Sequence, residues 1–208
     1  MGPALVCPLC LTCHGTQRAL HRRGAPLHAS PGVGRCVEGV ELKRLVTCPD
    51  ERGFFREIVD NVEESVREGW AQASHSMMYA GVAKAWHVHR TQIDWWYVPA
   101  GNLKVAPYDM REDSSTRGQL REVFLGDGHD AQLLKIPAGV AHGCKALNGP
   151  THLIYFTSRI YDPEGEEIRI PHDDPAIGYD WTALLAIKQP PQPIGLLCQE
   201  PETSSQSP

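Results

Sequence analysis

The 208-residue sequence has no apolar run that approaches the roughly 20 residues a transmembrane helix needs. It has no excess of positive charge. Its 20 Lys and Arg stand against 25 Asp and Glu, for a formal net charge of -5, so a nucleic-acid footprint of clustered cations is not expected. No segment repeats at a fixed period, which argues against a solenoid. A secretory signal is also missing: MGPALVCPLCLTCHGTQRALHRRG lacks a charged start before its short apolar run and is rich in Cys. A cytoplasmic protein without membrane attachment is the expectation.

The seven cysteines, at 7, 10, 13, 36, 48, 144 and 198, are odd in number. In a chain without an export signal they read as free thiols rather than a disulfide framework. Cys7, Cys10, Cys13 and His14 have metal-like local spacing, but no second pair follows to close a zinc tetrahedron.

What is present is an ordinary globular composition, 41% hydrophobic and 22% charged, of a length that suits one domain. Residues 1–36 carry many Gly, Pro, Arg and His without periodicity and read as a poorly ordered leader. Residues 183–208 form a Pro- and Ser-rich tail. Residues 37–182 are the domain. Within it, short β-rich runs alternate with turn signals. Gly39–Val46, Gly53–Val59, Ile93–Val98, Leu103–Tyr108, Gln132–Ile136 and Leu153–Thr157 read as strands, with a turn expected over Pro99-Ala100-Gly101-Asn102. Only Asp60–Glu68 reads as helical. The pattern predicts an all-β sandwich or barrel with one or two short helices.

In the stretch GVAKAWHVHRTQIDWWYVPAG, His87 and His89 are one residue apart, so on a strand they share a face. PAGVAH brings His142 just after a turn, where a facing strand could present it to the same space. The spacing of Gly81, His87, His89, Asp94 and Gly101, followed by Pro137, Gly139 and His142, resembles the two-part signature of cupin barrels. The implied fold is a double-stranded β-helix, the cupin jelly roll. Three imidazoles and a carboxylate would suit a divalent transition metal.

Six ordered segments are more specific. DERGFFREI, QASHSMMYAGVAKAWH, YDMREDSSTRGQ, IPAGVAHG, YFTSRIY and DDPAIGYDW are similar in order and content to the dTDP-4-dehydrorhamnose 3,5-epimerases. The resemblance implies cofactor-free epimerisation of a nucleotide-linked 4-keto-6-deoxy sugar, in deoxysugar or surface-polysaccharide biosynthesis, by a homodimer. His87 would be the base and Tyr155 the acid, with His142 near the reacting sugar and Tyr161 shaping the pocket. Arg52, Phe55, Glu57, Gln72 and Ser76 would hold the nucleotide, and Lys84 would meet the diphosphate. DERGFFREI is the strand a neighbouring subunit would lend.

The chain departs from that family at three places. Asp94 stands near the position of a Lys, no Asp follows Trp181, and Ser74 and His89 replace Asn and Gln. Two repairs stay open: a metal held by His87, His89, Asp94 and His142, or an Asp94 that turns to support His87. Two other functions also stay open. One is a metal-dependent cupin dioxygenase or isomerase using those four residues with one divalent transition metal. The other is a non-catalytic nucleotide-sugar binding module.

Overall fold

The computed structural model describes residues 36–60, 62, 64–162 and 165–183. The leader and the tail lie almost entirely outside these residues.

The described chain folds into twelve β-strands: β1 (Glu41–Arg44), β2 (Thr47–Asp50), β3 (Gly53–Arg56), β4 (Gln72–Met78), β5 (Ala83–His89), β6 (Asp94–Ala100), β7 (Asn102–Asp109), β8 (Val123–Gly126), β9 (Gln132–Ile136), β10 (Val140–Ala146), β11 (Thr151–Thr157) and β12 (Glu167–Arg169). Ten of them form two antiparallel five-stranded sheets, in the orders β1-β9-β6-β11-β4 and β12-β5-β10-β7-β8. The remaining pair, β2 and β3, is a separate hairpin. The two sheets face each other as a jelly roll, the double-stranded β-helix expected.

Alternation along each strand sorts the side chains into three clusters. Trp96, Val98, Leu103, Val105, Leu134, Val140 and Leu153 point between the sheets and form the main core. The opposite sides of the same strands are also covered. Trp95, Tyr97 and Leu133 pack with Leu45 and Val66 outside the first sheet. Trp86, Val88, Ala106 and Ala141 pack under Trp181 outside the second. Burial on both faces explains why DWWYV reads as a continuous apolar run rather than an alternating one.

Several local expectations change. Among the described residues, the helix expected over Asp60–Glu68 is a single 3-10 turn, Glu64–Val66, whose buried side chain is Val66. β6 runs through Pro99 to Ala100, so only Gly101 separates it from β7. Proline lacks a ladder N–H, and the β6–β11 register slips at this point, between His152↔Ala100 and Ile154↔Tyr97. Gly101 has φ +82°, and a Cβ there would approach Thr151 Oγ1 to 2.6 Å. Cys48, Pro49 and Asp50, which lie beyond the expected strand Gly39–Val46, belong to β2. Cys36 and Cys144 are free as expected, but Cys48 is disulfide-bonded, since an odd total says nothing about any one thiol.

Candidate active site

The inner faces of the two sheets leave a cavity of about 450 Å³. From the second sheet, β5 contributes Lys84, His87 and His89, and β10 contributes His142 and Cys144. From the first sheet, β4 contributes Gln72 and Ser76, β6 contributes Asp94 and Trp96, and β11 contributes Tyr155 and Thr157. Tyr161 stands at the edge. Strand register explains the grouping. His87 pairs with His142 across β5 and β10, and Tyr155 pairs with Trp96 and Ser74 across its two neighbours. His87 and Tyr155 thus enter one hollow from opposite sheets. Seven of the expected site residues line it: Gln72, Ser76, Lys84, His87, His142, Tyr155 and Tyr161.

Arg52, Phe55 and Glu57 are elsewhere. They lie on or just after the β2–β3 hairpin and do not line the cavity of their own chain. Arg52 forms a bidentate pair with Asp50, at 2.6 and 3.2 Å. Phe54 is 64% exposed and Phe55 39%. The hairpin therefore presents two aromatic rings to its surroundings.

His87 has a partner that sequence reasoning missed. Glu167 Oε2 lies 3.7 Å from His87 Nδ1, an ion-pair separation rather than a hydrogen bond. Burial pushes the His87 pKa below the usual imidazole value, and the Glu167 charge opposes that shift. Burial would raise the Glu167 carboxyl, but the hydrogen bond from Arg169 and the His87 charge outweigh it and hold Glu167 low. Arg169 Nε donates to Glu167 Oε1 at 2.6 Å, and both side chains line the cavity. The available signal was the alternation in Glu-Ile-Arg-Ile, residues 167–170, too short to stand out after a turn.

Asp94 turns away from His87. Its Oδ2 lies 3.7 Å from His89 Nε2 and 3.6 Å from His142 Nε2. Gln92 Nε2 donates to its Oδ1 at 2.8 Å, and the Trp96 indole N–H donates to Oδ2 at 3.1 Å. His142 is fully enclosed, and burial pushes its pKa down to about 4 despite the nearby Asp94. Lys84 Nζ donates to Ser76 Oγ at 2.8 Å on the cavity wall. Cys144 also faces the cavity, with burial pushing its thiol up to about 12.

A jelly roll that encloses a histidine opposite a tyrosine, in a cavity lined by ionisable side chains of both signs, defines a cupin-type protein. Comparison with known proteins narrows the class. The sequence model of dTDP-4-dehydrorhamnose 3,5-epimerase matches residues 35–194, and the chain belongs to that family. It is 44% identical over 147 residues to the spore coat polysaccharide biosynthesis protein SpsL of Bacillus subtilis, covering 70% of this chain and 96% of that protein. The crystal structure of a dTDP sugar isomerase from Desulfovibrio desulfuricans G20 superposes with a TM-score of 0.66 at 31% identity, covering 71% of this chain and 94% of that one. The dTDP-6-deoxy-D-glucose-3,5-epimerase of Legionella pneumophila, solved with dTDP-4-keto-L-rhamnose, superposes with a TM-score of 0.64 at 29% identity, covering 72% and 82%.

Proposed function

We propose that this protein epimerises a nucleotide-linked 4-keto-6-deoxy sugar. The observation that carries the proposal is the entry of His87 and Tyr155 into one cavity from opposing sheets. A C–H bond beside a ketone is acidic because the charge left behind spreads onto the carbonyl oxygen. His87 removes that proton from one face of the ring. Its Nδ1 is directed at Glu167, which leaves Nε2 for the substrate. Glu167 orients the ring and stabilises the imidazolium that forms. Tyr155 returns a proton from the other face, so the carbon inverts. These transfers use side chains alone. His142 borders the reacting ring, and Tyr161 bounds the cavity.

Lys84 and Arg169 supply cations for the diphosphate, and Gln72 and Ser76 lie beside them. The nucleotide would be clasped by Arg52, Phe55 and Glu57 of the partner subunit in a homodimer, which would cover the exposed rings of the hairpin. The protein would act in the cytoplasm, in the synthesis of a surface polysaccharide. No described helix is long and apolar enough to cross a membrane.

The test is exchange of solvent deuterium into a dTDP-4-keto-6-deoxy sugar. Wild type should label the carbon beside the ketone, and His87→Ala should lose at least about a hundredfold in rate, as expected for a general base. Binding of the nucleotide sugar without any exchange would favour a non-catalytic binding module instead.

A further inference from the structure

We infer that Glu166 is a positioning residue: its carboxylate pins the register of β12 and so holds Glu167 beside His87. The catalytic consequence of the pin rests on the epimerase reading.

β12 is a lightly held element with a demanding task. It is three residues long, and among the described strands β5 is its only neighbour. The pairing is Glu167↔His89, Ile168↔Val88 and Arg169↔His87. Side chains alternate across a strand, so Glu167 and Arg169 share the cavity face with His87 and His89. On that face Glu167 stands directly opposite His89 and diagonal to His87, a separation that a long side chain spans. A slip of one residue would turn Glu167 out of the cavity and leave His87 without its charged partner.

The group that resists the slip is the residue before it. Glu166 Oε1 accepts the backbone N–H groups of Thr91 and Gln92, each at 2.5 Å, and Oε2 accepts the Thr91 hydroxyl at 2.8 Å. The Arg90 N–H donates to the Glu166 carbonyl at 3.1 Å. The turn from β5 to β6 is thus gripped by both the main chain and the side chain of one residue. At the other end of β12 the hold is neutral: Trp86 and Ile170 exchange backbone hydrogen bonds at 3.0 and 3.1 Å. A backbone ladder can re-form after a slip, because nearly every residue offers the same N–H and C=O. The carboxylate grip cannot. Gly165 would replace Glu166 in one direction, and in the other Glu167 would have to leave the cavity to take its place. Hydrogen bonds to a carboxylate are also stronger than neutral ones, which makes this grip the main determinant of register. The same grip fixes the backbone of Gln92, whose Nε2 donates to Asp94 Oδ1 at 2.8 Å. A second route from Glu166 into the cavity therefore runs through Gln92, and the test separates the two.

The test compares Glu166→Ala and Glu166→Gln in the full chain, each alone and combined with Glu167→Gln. Amide hydrogen exchange is read by NMR at Thr91, Gln92 and Ile170. In Glu166→Ala all three should exchange at least about tenfold faster, as expected when a local unit loosens. Glu166→Gln should stay near wild type, because its carbonyl can accept both N–H groups and its amide can donate to the Thr91 hydroxyl. In steady-state kinetics Glu166→Ala should lower kcat by roughly tenfold with little change in KM, since a misplaced partner of the base is felt in the transition state. In the Glu167→Gln background the same change should cost less than about twofold, because residues that act through one another are not additive. Glu166→Asp, which shortens the side chain by one methylene, serves should Glu166→Ala not fold. Unchanged protection at Ile170 in Glu166→Ala overturns the pin. Equal damage from Gln and Ala overturns it too, by assigning the effect to charge. A full kcat loss in the Glu167→Gln background overturns the route through Glu167 in favour of Gln92. Absence of turnover in wild type removes the epimerase reading and the catalytic role with it, while amide exchange still decides whether Glu166 pins β12.

Discussion

At the residue scale, the account turns on which side chain each imidazole faces. His87 faces Glu167, while His89 and His142 face Asp94. Glu167→Gln keeps the shape and removes the charge. It should lower kcat by roughly tenfold to a hundredfold with little change in KM, since a charge that supports an imidazolium acts in the transition state rather than in binding. Steady-state kinetics on the folded variant check this. An unchanged kcat would remove Glu167 from the mechanism. Cys144 supports a separate prediction. Its thiol is buried and pushed up to about 12, so iodoacetamide at pH 8 should leave it unmodified in the native protein and label it after unfolding. Peptide mapping by mass spectrometry reads both states. His87, His142 and Tyr155 were legible as site candidates because they sit in motifs with fixed spacing. Glu167 was not, because its strand is three residues long and its placement beside His87 depends on the pairing Arg169↔His87, a tertiary fact.

At the scale of elements, the turn after β7 is a latch. Asp109 is fully buried and accepts from Arg111 Nε at 2.9 Å and Nη2 at 2.7 Å, from Ser114 Oγ at 2.5 Å and from Thr116 Oγ1 at 2.6 Å. Arg111 Nη2 also donates to the Glu38 carbonyl at 2.6 Å, which ties the segment before β1 to the end of the barrel. The DMREDSST pattern therefore serves the fold. Asp109→Asn leaves the Arg111 guanidinium without its counter-charge and should cost roughly 3 kcal/mol, the scale for breaking one side of a buried pair. Urea unfolding measures it, and a loss below about 0.5 kcal/mol, the range of ordinary surface changes, would contradict the latch. Strand positions were readable where both faces are apolar or turn residues bracket the run, as in β9, whose predicted and observed limits coincide. They were less readable where proline misleads. Pro49 and Pro99 both lie inside strands, one in the β2–β3 hairpin and the other beside a register slip.

At the scale of the whole molecule, the question is what covers the β2–β3 hairpin. Phe54 and Phe55 project from it, and Arg56 stacks over the Phe54 ring at 4.7 Å. If the hairpin completes a partner's cavity, two inactive variants should rescue each other. In a twofold dimer a mixture of His87→Ala and Arg52→Ala chains forms heterodimers with one intact site, so equal amounts should recover about one quarter of wild-type activity after subunit exchange. Absence of any recovery, with heterodimers present, would confine the site to one chain. The two-sheet architecture was legible from the strand spacing and the ordered motifs. The hairpin's separation from both sheets was not, because DERGFFREI carries the same short apolar pattern as the strands of the barrel.

The central claim is that the two faces of the sugar ring are served by different residues. The measurement that tests it most directly follows deuterium uptake and inversion together, by NMR, in Tyr155→Phe. The account predicts that this variant still labels the carbon beside the ketone, because His87 removes and returns the proton on its own face, while inversion falls by at least about a hundredfold. Inversion at the wild-type rate in Tyr155→Phe would contradict it.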